Sequence, residues 1–184
     1  MKELFYFFIA FSLVITGIFV VVPAAVEILG FSGENFFSGE VWRILSYPLA
    51  HANMNHLFEN LIALFVVILL SYELNLNLKE FLGVFLLTGI FIALFSGIFF
   101  PYLLIVGSSL GIYSIFGALA LKEQEIMPWY FFLGIFGIII FLNLGYSIYM
   151  SGDFTQAAYH GAGFVSGIGL IGLKKLKPKK RILQ

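Results

Sequence analysis

Charged residues are rare in this chain, and the apolar runs between them are long enough to cross a lipid bilayer. No charge occurs from Leu4 to Val22. Hydrophobic residues make up 61% of the 184 residues and charged residues 11%. A typical soluble domain has about 45–50% apolar residues and about 25% charged residues. A membrane helix needs about 20 mostly apolar residues. The sequence therefore predicts an integral membrane protein built from helices.

Six such runs predict an all-α, multi-pass membrane protein that forms a single domain over residues 1–184. The predicted spans cover residues 4–28, 50–72, 80–100, 104–121, 128–149 and 155–174. The first run could be read as a secretory signal, with Lys2 before it and Pro23 near its end. Its apolar part is longer than the usual signal core of about 7–15 residues, so we predict a retained helix.

Basic residues are distributed unevenly along the chain. Six of the ten crowd the last eleven positions: Lys174, Lys175, Lys177, Lys179, Lys180 and Arg181. With six spans, these share one side with Lys2, Lys79 and Lys122, and Arg43 is alone on the other side. This bias predicts that both termini face the cytoplasm. The basic cytoplasmic tail, residues 175–184, directly follows an apolar helix, so we expect it to contact anionic lipids rather than nucleic acid.

The segment between the first two spans, residues 29–49, is amphipathic. It mixes aromatic residues such as Phe31 and Trp42 with the charged residues Glu34, Glu40 and Arg43. We expect it to lie in the membrane interface, with its aromatic rings buried and its charges in water. The chain contains no cysteine, which excludes disulfides and thiolate metal sites, and no metal or organic cofactor is implied.

Several polar residues lie at one predicted depth. Ser109 is seven residues past Tyr102, and His160 is seven residues past Asp153. At 1.5 Å per residue both would lie about 10 Å below their loops. His56 is a similar count into its own helix, and Asn60 is one turn deeper. Polar groups in hydrocarbon are costly, so this cluster predicts a functional site that opens to the outer side.

Glycines on two of the helices suggest that the serine and the histidine approach each other. The fourth span carries Gly107-x-x-x-Gly111 and the sixth carries Gly163-x-x-x-Gly167. Such spacing lets helix backbones pack closely in membranes. It is compatible with packing alone, and also with a serine and a histidine held within hydrogen-bonding reach.

These residue types are the parts of a serine hydrolase. A neutral histidine can take the proton of a serine hydroxyl near pH 7. The oxyanion that then develops needs donors fixed in advance, and His56 and Asn60, four residues apart, share one helical face. No carboxylate is evident beside His160, because Asp153 is two turns away. The pattern predicts a dyad rather than a triad.

From about residue 40 to 170, the chain closely resembles the rhomboid intramembrane serine proteases. The matching residues are Trp42-Arg43, His51-x4-His56-x3-Asn60, Gly107-x-Ser109 and His160-x-x-Gly163-x-x-x-Gly167. The resemblance implies a six-transmembrane-helix bundle with an interfacial first loop, located in a plasma membrane. It also implies cleavage of transmembrane protein substrates.

The resemblance implies roles for individual residues as well. Ser109 corresponds to the nucleophile and His160 to the base, while His56 and Asn60 support the oxyanion. Tyr113, one turn after the serine, corresponds to a tyrosine that packs on the catalytic histidine, which favours Ser109 over Ser108. The supporting residues are His51, which looks structural, Gly107 of the glycine-x-serine motif, and Arg43 of the first loop. The fifth helix would move to admit substrate, and residues 149–154 would cap the site.

One departure from the family pattern leaves an alternative. The family usually has glycine directly after the serine, where this chain has Leu110. A leucine there would alter the oxyanion site or crowd the substrate, so the alternative is an inactive relative that binds membrane clients. A transporter or channel would need polar residues along a full path through the membrane, whereas the polar residues here cluster towards the outer side. Glu59, an acid inside a predicted span, either pairs with Arg43 or faces a wet cavity.

Overall fold

The computed structural model of the chain describes residues 2–122, 128–151 and 154–176, which fold into nine α-helices. Six helices are long: α1 (Lys2–Val21), α5 (Met54–Glu73), α6 (Leu78–Phe99), α7 (Ser109–Lys122), α8 (Trp129–Ser151) and α9 (Thr155–Leu176). Three short helices lie between α1 and α5: α2 (Ala25–Leu29), α3 (Gly33–Phe37) and α4 (Arg43–Ser46). Helix α4 runs into a 3-10 turn at Tyr47–Leu49.

Helices α1, α5 and α6 are each long and apolar enough to cross a membrane, and the chain is an integral membrane protein with a helical fold. Helix α7 is different. Its 14 residues rise only about 21 Å, less than the roughly 30 Å of a hydrocarbon core. Protein encloses it instead, because every residue from Leu110 to Ala120 except Tyr113 is buried.

Helix α7 is the centre of the bundle and contacts α5, α6, α8 and α9. Its most extensive contact is with α9, and glycines make that contact possible. A Cβ added to Gly167 would lie 1.8 Å from the Ser114 carbonyl oxygen, and one added to Gly117 would lie 2.0 Å from the Phe164 carbonyl oxygen. The two backbones therefore touch directly, as small residues allow in membrane helices.

The glycines before and at the start of α7 do not take part in this contact. A Cβ on Gly111 would lie 2.5 Å from the Phe85 ring of α6, and one on Gly107 would lie 2.6 Å from His56 Nε2. Helix α9 thus approaches α7 through Gly117, Gly163 and Gly167. The glycine motif of the fourth predicted span instead makes room for α6 and for a side chain of α5.

Two of the helices start or end differently from the predicted spans. Helix α1 ends at Val21, because Pro23 removes a backbone donor and its ring blocks further helix. Helix α7 begins only at Ser109. Before it, Ile105 pairs with Phe31 through two backbone hydrogen bonds of 2.8 and 2.9 Å. The predicted helical rise between Tyr102 and Ser109 is therefore wrong.

The first loop packs against α6. A Cβ on Gly33 would lie 2.1 Å from the carbonyl oxygen of Gly97, and one on Gly89 would lie 2.5 Å from the Tyr47 hydroxyl. Arg43 is only 5% exposed. Its Nε donates to Glu40 and its Nη1 to the Gly30 carbonyl oxygen, both at 2.6 Å. The expectation that this charge is in water is wrong, because protein acceptors replace water.

Two predicted features lie outside the described residues. The basic tail is described only as far as Leu176, and residues 152–153 of the predicted capping loop are outside the described part of the chain.

Lys122, which ends α7, donates to Glu80 at the start of α6 at 2.7 Å. This ion pair joins two helices at the end of the bundle opposite the first loop.

Candidate active site

The first turn of α5 carries His56 and orients its ring. The Asn53 side chain caps the helix by accepting from the His56 backbone N–H at 2.9 Å, as asparagine often does at this position. The Ala52 N–H donates to His56 Nδ1 at a long 3.5 Å. With Nδ1 as the acceptor of this contact, the tautomer that carries its proton on Nε2 is favoured. In that tautomer, His56 presents an N–H donor on the Nε2 side.

Gly107 lies against that side of the His56 ring. Its φ of +91° is in the left-handed region, which favours glycine. The lack of space for a Cβ, which would lie 2.6 Å from His56 Nε2, adds a steric reason. The Gly107 N–H donates to the Tyr47 carbonyl oxygen at 3.0 Å. The glycine thus lets the chain pass the histidine closely and turn into α7.

Helix α7 begins in this turn, so its first backbone N–H groups point out of its end. Ile112 donates back to the Ser108 carbonyl oxygen at 3.1 Å and closes the first turn. The first N–H groups of a helix lack partners within the helix, and its positive dipole end favours negative charge. The amides of Ser109 and Leu110 are therefore suited to meet an anionic oxygen.

The two adjacent serines have different surroundings. Ser108 is 1% exposed, and its hydroxyl donates to Asn60 Oδ1 at 3.0 Å. Asn60 Nδ2 donates to the His56 carbonyl oxygen at 2.8 Å, which fixes the orientation of the amide, since only its nitrogen can donate. One Nδ2 hydrogen remains. Ser109 is half-buried and lines a cavity.

His160 approaches the same place from α9. Its ring stacks on Tyr113 with centroids 4.1 Å apart and planes 10° apart. The residue is 4% exposed, and neither ring nitrogen has a hydrogen-bond partner among the described residues. Gly163, one turn later, brings α9 against the Leu110 carbonyl oxygen. The stacked tyrosine and this close packing hold the imidazole in one orientation.

Two cavities, of about 510 and 190 Å³, meet at these residues. Four residues line both of them: Glu59, Ser109, Gln156 and His160. His56 lines the larger cavity, while Asn60 and Tyr113 line the smaller one. The described structure therefore brings together the serine, both helix-borne histidines, the asparagine and the tyrosine.

The other supporting residues lie outside the cavities. The His51 ring is 5.2 Å from the His56 ring, and His51 is 3% exposed. It precedes α5, and burial, together with the neighbouring His56, lowers its pKa to about 4. Arg43 is engaged with Glu40 and Gly30 in the first loop. The predicted pairing of Glu59 with Arg43 is thus wrong, and Glu59 faces the cavity instead.

Sequence reasoning missed three features around the cavity. Gln156 lies one turn before His160, so their shared helical face was the available signal. Tyr159 hydrogen-bonds Ser96 of α6 at 2.6 Å and lines the larger cavity. The partnership of Ser108 with Asn60 had no local signal, because it joins residues 48 positions apart.

Comparison with known proteins agrees with this arrangement of motifs. The family model of the Rhomboid domain matches residues 38–175, which is most of the chain. The chain belongs to the rhomboid family. This rhomboid is 28% identical to Rhomboid-related protein 2 of Mus musculus over 145 residues, which cover 71% of the chain and 47% of the mouse protein.

A second relative comes from yeast. Over 107 residues this rhomboid is 29% identical to Rhomboid-type serine protease 2 of Saccharomyces cerevisiae, covering 55% of the chain and 40% of the yeast protein. The chain thus spans less than half the length of these curated relatives.

Proposed function

We propose that this rhomboid is an intramembrane serine endopeptidase that hydrolyses peptide bonds in or near transmembrane segments of other proteins. One observation carries the proposal: Ser109 and His160 line the same two cavities, and the buried His160 ring has both nitrogens free of other partners among the described residues. A histidine held in this way beside a serine is available to accept its proton.

The reaction follows from these positions. His160 accepts the Ser109 proton as Oγ attacks the carbonyl carbon of the substrate. The tetrahedral intermediate collapses when the C–N bond breaks, and the imidazolium gives its proton to the departing amine. Water, deprotonated by His160, then attacks the acyl-serine ester and releases the carboxylic acid product. Serine and histidine return to their starting states.

The oxyanion of that intermediate would be stabilised by donors that are already oriented. His56 offers Nε2–H, Asn60 offers its remaining amide hydrogen, and the start of α7 offers the Ser109 backbone N–H. Preorganised donors in a site with little water are typically worth about 3–4 kcal/mol each in the transition state.

Leu110 is compatible with this chemistry. Its side chain is 2% exposed and belongs to an apolar cluster with Phe31, Tyr47, Ile92, Ala93 and Ile105. It therefore packs between the first loop and α6, and it also forms part of the wall of the larger cavity. The first loop supplies partners that accommodate a leucine where the family usually has glycine.

Access and orientation belong to the same proposal. Six segments would cross the membrane, α7 doing so together with the non-helical chain before it, with both termini cytoplasmic and the cavity open to the outer side. Helix α8 packs only on α7 and α9 among its larger described contacts, and Phe136 is its buried anchor between Phe116 and Phe164. In this proposal, helix α8 moves to admit a substrate helix laterally.

A client-binding, inactive rhomboid is the second candidate. The observation that favours it is that His160 makes no hydrogen bond to Ser109 or to any other described residue, which leaves the serine without an engaged base in this state. Catalytic hydrogen bonds often tighten only when substrate binds. Whether the protein is a protease or an inactive client-binding rhomboid therefore depends on whether Ser109 reacts.

Labelling by a fluorophosphonate probe tests the reactivity without a known substrate. We expect the purified, folded protein to incorporate the probe, and Ser109→Ala and His160→Ala to lose more than about 99% of the labelling rate, in line with the size of nucleophile and base effects. Ser114→Ala is the matched control on the same helix, because Ser114 lines neither cavity. Well-folded protein that never labels would support the client-binding candidate.

A further inference from the structure

Glu59 is a charged residue in the wall of the candidate active site, and the reaction described above does not use it. It lines both cavities together with Ser109 and His160. Among the described residues that line either cavity, it is the one with a formal charge at neutral pH. The other polar lining groups are hydroxyls, amides and imidazoles.

The described part of the chain supplies no cation for this carboxylate. The ion pairs of that part join Arg43 to Glu40 and Lys122 to Glu80. Arg43, the basic residue of the first loop, is buried and also bonded to a backbone carbonyl, so it is not free to turn towards Glu59. An ionised group at membrane depth is costly unless it is paired or wet.

Glu59 also does not orient the candidate base. Neither nitrogen of His160 has a hydrogen-bond partner among the described residues, so the carboxylate is not the third member of a triad. Glu59 is exposed towards the cavity, unlike the buried Asn60 beside it. Its charge therefore faces the space that a substrate would fill.

We propose that Glu59 selects substrates that place a basic side chain close to the scissile bond and disfavours those with an acidic one. The inference rests on the proposed function, since it concerns the same cavity. A cavity of about 510 Å³ is roughly 8 Å across, which is about two to three residues of extended chain. The selected residue is therefore within about three positions of the bond.

The physical reason is electrostatic. Opposite charges within a few ångströms of each other attract weakly in water and more strongly where water is scarce. A bound segment expels water from the cavity, so the attraction strengthens as the site fills. The same field repels an acidic side chain. We expect at least a ten-fold preference for a basic over an acidic group.

Three fluorophosphonate probes that differ only in a terminal ammonium, amide or carboxylate test the inference at the reactive serine. We expect the ammonium probe to label at least ten-fold faster than the carboxylate probe. Glu59→Gln, which removes charge but keeps shape, should bring the two rates within about two-fold, and Glu59→Lys should reverse their order. Equal rates for the charged probes in the unchanged protein would overturn the inference.

Glu34→Gln is the matched control. Glu34 is an exposed acid of the first loop that lines neither cavity, so its loss tests the effect of net charge alone. We expect it to leave the ten-fold preference in place. If Glu34→Gln removed the preference as Glu59→Gln does, a general surface charge would explain the data and the inference would fail.

A binding experiment separates this inference from the proposed hydrolysis. In Ser109→Ala protein, we expect a fluorescent single-span peptide flanked by two lysines to bind about ten-fold tighter than one flanked by two glutamates. Glu59→Gln should abolish the difference. A difference in peptide binding without any probe labelling would support selection by Glu59 and overturn the proposed hydrolase activity. Probe labelling without any charge preference in either experiment would support the hydrolase activity and overturn selection by Glu59.

Discussion

Ser108 and Ser109 are adjacent in the sequence and have opposite surroundings. The Ser108 hydroxyl is buried and donates to Asn60, while Ser109 faces the cavities. Asn60 is held at both ends of its amide, by Ser108 and by the His56 carbonyl oxygen. A serine that no reaction step uses would therefore position an oxyanion donor.

Replacing Ser108 with alanine tests this role. We expect Ser108→Ala to label with a fluorophosphonate about three- to ten-fold more slowly, because a typical hydrogen bond contributes about 0.5–1.5 kcal/mol. The final extent of labelling should be unchanged. A folded Ser108→Ala protein that fails to label, beside a Ser109→Ala protein that still labels, would show that the nucleophile has been misassigned.

His51 gives the protein a dependence on acid. Burial and the neighbouring His56 lower its pKa to about 4, so the folded protein holds the neutral ring. The unfolded chain binds a proton below about pH 6.5, and more protons on the unfolded state mean that stability falls as the pH falls. We expect the Tm in detergent to drop between pH 7.5 and 5.5, and to drop less in His51→Gln. An equal drop in both proteins would exclude His51 as a cause of the loss of stability at low pH.

At the scale of the helices, the position of His160 depends on how closely α9 packs on α7. Gly163 and Gly167 remove the side chains that would separate the two backbones. Gly169, on the same helix, has nothing within 4 Å of an added Cβ. The glycines of α9 therefore divide into those that the contact requires and those that it does not.

Two alanine variants of α9 compare these classes. Gly167→Ala places a methyl group against the Ser114 carbonyl oxygen, so we expect a lower Tm and at least a ten-fold loss of probe labelling as α9 moves outward. Gly169→Ala should keep both, and by helix propensity could gain up to about 1 kcal/mol. Equal effects of the two substitutions would contradict the claim that the backbone contact between α7 and α9 positions His160.

For the whole molecule, the charge distribution carries the proposed orientation. Nine basic residues belong to one predicted side and Arg43 to the other, and the described structure buries Arg43 in the first loop. The positive-inside rule counts Lys and Arg in the loops, so nine against one favours a cytoplasmic location for both termini, and the burial of Arg43 does not alter that count.

The absence of cysteine makes the orientation easy to measure. We expect Tyr102→Cys, at an 81% exposed position of the loop before α7, to react with a membrane-impermeant maleimide in intact cells. Glu73→Cys, at the opposite end of α5, should react only after permeabilisation. The unaltered chain is the unlabelled control. Labelling of Glu73→Cys but not of Tyr102→Cys in intact cells would contradict the proposed orientation.

The sequence by itself determined that this is a helical membrane protein of the rhomboid family, because hydropathy and motif spacing are local properties of the chain. It also led to Ser109 and His160 as candidates. Only the tertiary structure decided where α7 begins, that Arg43 is buried, that Ser108 holds Asn60 and that Glu59 faces the cavity. Each of these depends on a partner or a space formed by residues distant in the sequence, and no local pattern encodes such a contact.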